Sequence, residues 1–248
     1  MGQISDDLYL GTAVVGGSNV SAGPSPMTVG VGPLGRSYCF DVVPVASGTT
    51  TGQNQIALSQ NLPNGALTLT AGTGTTSGYD SSGNAIIVLD CERTVAAYSA
   101  ADLSAQTLTI TGYDRYGQRM SQTITAPNAG TVQTTKTFKS ILSVVSSGAI
   151  ASALVVGLGT GIGLPYRLTD LGYVMSVMYN QTAITIDSTA VKVADQTSPA
   201  TTSTNDVRGY IIVGQTDGAK RLVVNYALPA LASGPNATRI GAVGVTQV

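Results

Sequence analysis

Alternation of apolar and polar positions is the main pattern along this chain, and helical periodicity is almost absent. The alternation is clearest in residues 107–125, where Leu108 and Ile110 are separated by threonine. After a loop that contains glycine, Met120 and Ile124 repeat the same spacing. Period-two alternation is typical of strands with one face on a core. These residues are therefore predicted to form a β-hairpin with a ladder of threonines on its second face.

A second hairpin is predicted over residues 210–226. Two apolar segments flank Asp217-Gly218 there, and Asp-Gly is favoured in the type I′ turns of hairpins. Both segments are apolar on both faces, which predicts central positions that are covered on both sides.

The remaining pattern predicts many short strands and one short helix. The helix covers residues 100–106, with Ser99 as its N-cap. Short strands separated by Gly, Asn and Ser turns are typical of all-β folds, here an antiparallel β-sandwich, jelly roll or barrel. The further predicted strands lie near residues 37–45, 66–70, 85–91, 138–145, 153–157, 173–179, 182–187, 190–194 and 239–247.

Residues 1–35 differ from the rest of the chain. Their second half is rich in glycine and contains three prolines, with few and scattered apolar residues. Such a segment cannot bury enough apolar surface to fold alone. We therefore predict an extended N-terminal arm over residues 1–35, either free or ordered against a neighbour, and a β domain over residues 36–248. A second segment, residues 195–206, is rich in Ser, Thr and Pro and is predicted to be an exposed loop.

The charge content narrows the possible functions. The 248 residues include 12 Lys plus Arg, 13 Asp plus Glu and no histidine. A near-zero net charge gives no basic surface for nucleic acid or anionic lipid. Without histidine, the catalytic and metal sites that depend on imidazole are excluded. We expect neither an enzyme nor a cofactor.

Two features bear on location. The N-terminus carries two acids and no basic segment, so no secretory signal is expected and the chain is predicted to stay in a cytoplasm. Residues 140–166 are uncharged, but five glycines and five serines among them argue against a membrane helix.

Residues 155–163 resemble a dinucleotide-binding fingerprint only superficially. Ile162 occupies the position of the third glycine, and Pro165 follows where a phosphate-binding helix would begin. A glycine-rich strand or bulge is the favoured interpretation.

In a chain without histidine, general acid/base catalysis would have to use a pair of carboxylates. Asp90 and Glu92 are predicted on one strand face, where such a pair could hydrolyse a polysaccharide. The adjacent Arg93 favours a local ion pair or an edge-strand charge instead.

Cys39 and Cys91 each lie in an apolar segment, and two buried free thiols are the favoured interpretation, with a disulfide left open.

A shortage of charge on a chain of this size indicates a surface that meets other subunits rather than water. Residues 107–125, together with 137–144 and 163–168, resemble accessory head proteins of tailed bacteriophages. The resemblance implies a cement or decoration protein that binds the outside of a capsid lattice, often as a symmetric oligomer, without a catalytic site. Its partners would be the major capsid protein and copies of itself, in a virion assembled in the host cytoplasm.

The candidate interface residues lie in the arm and at the tip of the first hairpin. The hairpin tip has aromatic and arginine side chains, which often anchor contacts. A receptor- or glycan-binding module of a tail fibre or spike remains the alternative. The candidate residues are Tyr9, Val14, Val15, Met27, Val29, Tyr113, Asp114, Arg115 and Tyr116.

Overall fold

Regular structure in the described part of the chain consists almost entirely of antiparallel strands. The computed structural model describes residues 34–47, 54–62, 65–197, 199–229 and 247. A short 3-10 turn, Leu171–Tyr173, precedes the eleventh strand. The strands are β1 (Leu34–Val42), β2 (Ala57–Leu62), β3 (Gly65–Ala66), β4 (Thr75–Tyr79), β5 (Ala85–Asp102), β6 (Thr107–Tyr113), β7 (Arg119–Thr125), β8 (Asn128–Gln133), β9 (Phe138–Ser146), β10 (Ile150–Gly163), β11 (Val174–Tyr179), β12 (Thr182–Ala183), β13 (Val191–Lys192), β14 (Tyr210–Ile212) and β15 (Leu222–Pro229).

The strands form two curled sheets that together make a half-barrel or sandwich. Among the described residues, the large sheet has eleven strands, and its main path is β13-β14-β10-β5-β9-β6-β7, to which β2, β3, β4 and β8 are added. The described part of the small sheet has four strands in the order β1-β15-β11-β12. The all-β prediction is confirmed. No helix in the described ranges is long and apolar enough to cross a membrane.

The first predicted hairpin is confirmed. Strand β6 pairs with β7 from Thr107 opposite Thr125 to Tyr113 opposite Arg119. Its core face is buried, with Leu108 fully covered. On the second face, the hydroxyls of Thr109 and Thr123 are 3.0 Å apart and hydrogen-bonded. Period-two alternation was a sufficient signal here because one face packs on a core along the whole hairpin.

The second predicted hairpin is wrong. Strand β14 pairs with β10 and β13 in the large sheet, whereas β15 pairs with β1 and β11 in the small sheet. The Asp217-Gly218 turn does form, since Asp217 accepts hydrogen bonds from the backbone of Ala219 and Lys220. It turns a segment that crosses between sheets, however, rather than joining two paired strands. Central positions were correctly predicted for both strands.

The predicted helix is also wrong. Strand β5 continues to Asp102, which lies opposite Asn128 of β8, and a turn follows in which Gln106 donates to the carbonyl of Leu103. Ser99 accepts a hydrogen bond from the amide of Ala101 within the strand. Pairing with β8 satisfies the backbone here and replaces the local helix. Most other predicted strands are present, but those near 182–187 and 190–194 shrink to two residues each. The strand predicted near 66–70 overlaps the two-residue β3 only at Ala66, and 239–247 lies outside the described residues except for 247.

In the described residues, two large apolar clusters stabilise the sheets. The first lies inside the curl of the large sheet and includes Leu108, Phe138 and Leu158. The second lies between the sheets, where Phe40 and Tyr226 of the small sheet pack with residues of the large one. This second core sets the place of the candidate site, because the first hairpin ends beside it.

The predicted N-terminal arm falls almost wholly outside the described residues, which begin at Leu34. The last two residues of the predicted arm, 34 and 35, already belong to β1.

Candidate functional site

The tip of the first hairpin, residues 114–117, is ordered by the Asp114 side chain. Asp114 Oδ1 accepts hydrogen bonds of 2.8 Å from the amides of Tyr116 and Gln118. The Asp114 amide donates to the Gln118 carbonyl at 3.0 Å, and Gly117 has the positive φ of 77° that closes the turn. One carboxylate oxygen is thus used within the loop, and the second is free to bind elsewhere.

That second oxygen belongs to a group that we call the ion cluster, made of Glu92, Asp114, Arg115 and Arg208. Arg208 Nη1 donates to Asp114 Oδ2 at 2.9 Å, and its Nη2 donates to Glu92 Oε1. Arg115 Nε donates to Glu92 Oε2 at 2.9 Å. The side chains of Glu92, Asp114 and Arg208 are at most 2% exposed, whereas Arg115 is 25% exposed. The cluster therefore fastens the hairpin tip to β5 and to the segment before β14.

Asp206 holds Arg208 in position through the backbone. Its carboxylate accepts from the amides of Arg208, at 2.8 Å, and Gly209, at 3.2 Å. Its other oxygen accepts from the amide and hydroxyl of Thr137 and from the amide group of Gln247. A carboxylate that receives this many hydrogen bonds can remain buried at acceptable cost.

The glycine-rich strand makes room for the cluster. The prediction of a strand for residues 155–163 is confirmed by β10. A Cβ on Gly163 would lie 2.9 Å from Glu92 Cγ and 2.5 Å from the Thr137 hydroxyl. Larger residues here would push Glu92 out of place, so the glycines serve close approach of side chains rather than phosphate binding.

Burial raises the pKa of the Glu92 carboxyl to about 7, and the opposing charges of Arg208 and Arg115 do not cancel that effect. The carboxylates of Asp206 and Asp114 add to the increase. Burial by itself would lower the pKa of Arg208, but Glu92, Asp206 and Asp114 raise it above its usual range. The Arg208 guanidinium therefore stays charged, whereas Glu92 titrates near neutral pH.

Asp90 and Glu92 do not form the predicted carboxylate pair. Asp90 binds Arg93 Nη1 at 3.2 Å and accepts from the Val45 amide at 2.8 Å, so the predicted ion pair with Arg93 is confirmed. Glu92 is bound by Arg208 and Arg115 instead. The pairing register of β5 shifts between Val88 and Arg93, which disturbs the alternation on which the prediction of a shared face depended.

The tip residues predicted as an interface are partly occupied by contacts within the chain. Asp114 is buried in the ion cluster, and the Arg115 guanidinium lies 5.7 Å from the centre of the Phe40 ring. The Tyr113 hydroxyl donates to Asp80 at 2.7 Å. Tyr116 donates to the Pro165 carbonyl at 2.6 Å, yet the residue remains 56% exposed.

Tyr116 is not the only exposed tyrosine near the hairpin. Tyr79 is 78% exposed and precedes Asp80, the partner of Tyr113. Tyr113 itself is half-buried. We call these three residues at or near the hairpin, Tyr79, Tyr113 and Tyr116, the tyrosine surface. The predicted interface residues of the arm, Tyr9, Val14, Val15, Met27 and Val29, lie outside the described residues.

Sequence reasoning missed Arg208 and Asp206, because charged residues are normally expected at the surface. The available signal was Asp206-Val207-Arg208, two opposite charges around an apolar residue in a chain with few charges. The predicted exposed loop 195–206 accordingly ends in a buried carboxylate.

The cysteines are both free, but only Cys91 is buried, whereas Cys39 is exposed on the small sheet. The expectation of two buried thiols is therefore wrong for Cys39. Within the described ranges, no group of three or more Cys, Asp or Glu side chains is arranged to hold a metal ion.

Comparisons with protein-family models, with curated proteins and with solved structures found no match. What this chain does must be inferred from its own residues.

Proposed function

We propose that this chain is a structural protein of a bacteriophage particle, which binds the outside of the capsid lattice as a cement or decoration protein. The observation that carries the proposal is where the charges lie. The chain has few charged side chains, and six of those that the structure describes are buried rather than exposed to water. These six are Glu92, Arg93, Asp114, Lys136, Asp206 and Arg208.

A surface so poor in charge suits permanent contact with other subunits. Interspersed charges keep soluble monomers apart from their copies. Part of this small number of charges fastens the hairpin tip and loops in the interior, which lowers the number that remain at the surface. The resemblance of residues 107–125, 137–144 and 163–168 to accessory head proteins supports the same function.

The proposed mechanism is mechanical. The β domain sits over junctions between capsid subunits, and the arm, residues 1–35, orders on binding and crosses to a neighbouring subunit. Ordering the arm costs about 1–2 kcal/mol per residue, which many main-chain hydrogen bonds and apolar contacts must offset. Because hundreds of copies act together on one lattice, each contact can be weak.

Cosedimentation with purified phage heads tests the proposal. We expect the full chain to sediment with intact heads and to raise the temperature at which they rupture. A variant lacking residues 1–30 should keep its β-sheet circular dichroism and bind heads more weakly. Full binding by this deletion would show that the arm does not contribute, and failure of the full chain to bind heads would overturn the proposal.

The tyrosine surface favours a second candidate, a receptor- or glycan-binding module of a tail fibre or spike. Exposed aromatic rings with a polar end are suited to stacking on sugars. Glycan-array binding that is lost in Tyr79→Ala and Tyr116→Ala, and kept in Leu58→Ala, would favour this function. Leu58 is a suitable control because it is a large exposed apolar residue on β2.

A further inference from the structure

The edges of the two sheets are protected to different degrees. Strands β12 and β13, at one edge of each sheet, are only two residues long. The opposite ends of the two strand orders are longer, since β7 has seven residues and β1 has nine. Strands β2, β4 and β8 also pair with one described strand each, but they have only five or six residues. Long edges expose main-chain groups that can pair with another chain, so natural proteins cover them.

The edge of β7 is covered by the protein itself. The Thr123 amide donates to the Thr202 carbonyl at 3.0 Å. The Lys136 ammonium donates to the carbonyl of Ser121 at 3.1 Å and to that of Thr201 at 2.8 Å. A buried lysine and a loop thus occupy this edge.

The edge of β1 has no such cover in the part of the chain that the structure describes. Strand β1 pairs with β15 from Leu34 opposite Pro229 to Val42 opposite Leu222, and no described strand lies along its other side. Residues 37–42 contain no proline and no lysine, the residues that commonly block an edge.

We propose that two copies of this chain pair through β1, antiparallel about a two-fold axis, to give one continuous eight-stranded sheet. A second copy fits because the edge is compatible with itself. Antiparallel strands exchange hydrogen bonds symmetrically, as an isologous interface requires. Asp41 is the only charged residue among 37–42, and Arg221 Nε already binds its carboxylate at 2.8 Å, so self-pairing brings together no uncompensated like charges.

The alternation of side chains limits the register of this pairing. Cys39 and Asp41 are exposed on the outer face, whereas Phe40 is buried on the inner one. A two-fold axis perpendicular to the sheet keeps the outer faces on the same side. Cys39 therefore lies opposite Cys39 or Ser37 of the partner subunit in the central registers, and directly opposed Cβ atoms are about 4.5–5.5 Å apart.

Light scattering on the purified full chain tests the pairing without phage heads. We expect twice the mass of one 25.1 kDa chain. Cys39→Lys places like charges directly opposite each other or in diagonally adjacent positions, depending on the register, and should return the mass to that of one chain. Met178→Lys is the matched control, because Met178 is also exposed but lies on β11, two strands from the edge. The mass of the Met178→Lys variant should remain twice that of one chain.

Cross-linking gives a second readout. A short thiol-specific bis-maleimide should join two wild-type chains through Cys39, since Cys91 is buried. Cys39→Ser should give no cross-linked dimer, although its fold should be unchanged.

A mass of one or three chains for the wild type would overturn the pairing. Loss of the dimer in Met178→Lys would indicate face-to-face contact instead, and loss on deleting residues 1–30 would indicate exchange of the arm. The inference extends the self-assembly in the proposed function, and the two fail separately. A monomer that binds heads overturns only the pairing, whereas a dimer that does not bind heads overturns only the cement function.

Discussion

The ion pairs of the two sheets differ in their burial. The large sheet buries Glu92 and Asp114 around Arg208, with each side chain at most 2% exposed. The small sheet carries its pair of Asp41 and Arg221 at the surface, where the side chains are 39% and 64% exposed. The comparison teaches that charge in this protein fastens the interior and contributes little outside, because an exposed pair is worth little and breaking a buried one is costly.

The largest expected effect comes from removing the arginine that two buried carboxylates share. Arg208→Met leaves Glu92 and Asp114 without their common partner, and we expect a loss of about 3–5 kcal/mol in the free energy of unfolding by urea denaturation. Arg221→Met is the matched change in the small sheet and should cost less than about 1 kcal/mol. Equal losses of unfolding free energy in the two variants would show that the buried and the exposed ion pairs contribute equally to stability.

The pH dependence of stability tests the same cluster. The pKa of Glu92 is about 7 in the folded protein, above its ordinary value of 4.5. The folded protein therefore keeps a proton that the unfolded chain releases, so this contribution to stability is full below pH 4.5 and is lost as the pH rises to about 7. The loss should be on the order of 3 kcal/mol, measured by urea denaturation at several pH values.

Glu92→Gln should remove this loss between pH 4.5 and 7. Asp217→Asn is a suitable control, because backbone hydrogen bonds from Lys220 and Ala219 lower the pKa of Asp217 to about 2. Its contribution is lost only as the pH falls through that value, outside the window of Glu92. An unchanged pH slope in Glu92→Gln would show that another group titrates there.

A smaller effect is expected from the close packing of the large sheet. A Cβ on Gly112 would lie 2.1 Å from the Ser140 carbonyl oxygen, which belongs to the backbone of the neighbouring strand β9. Gly112→Ala should therefore destabilise the protein by about 1–3 kcal/mol, measured by thermal unfolding. Gly130→Ala meets only the Asn128 carbonyl oxygen at 3.5 Å and should change stability by less than about 1 kcal/mol.

The fold could be predicted where a single strand pair decides the pattern. Residues 107–125 alternate because β6 and β7 keep one face on the core throughout. The pattern of residues 210–226 is equally regular, but periodicity cannot tell whether two adjacent apolar strands pair with each other or with different sheets. The prediction of a helix near 100–106 failed for a similar reason. Pairing of this segment with β8 outweighed its local preference for a helix.

The candidate site was less predictable than the fold. The hairpin tip was found from its residue types, but Arg208 is 94 positions from its partner Asp114 and 116 from Glu92. No local pattern encodes a contact at that separation. The Asp90 and Arg93 pair could be predicted because the two residues are only three positions apart.

Strand β5 is the longest strand among the described residues. It runs without interruption for 18 residues and is bonded to β9 and β10, with β4 and β8 added along its length. A pulling force applied to its two ends would load many main-chain hydrogen bonds at the same time rather than one after another. We therefore expect this strand to make the large sheet stiff along one direction and more easily bent across it.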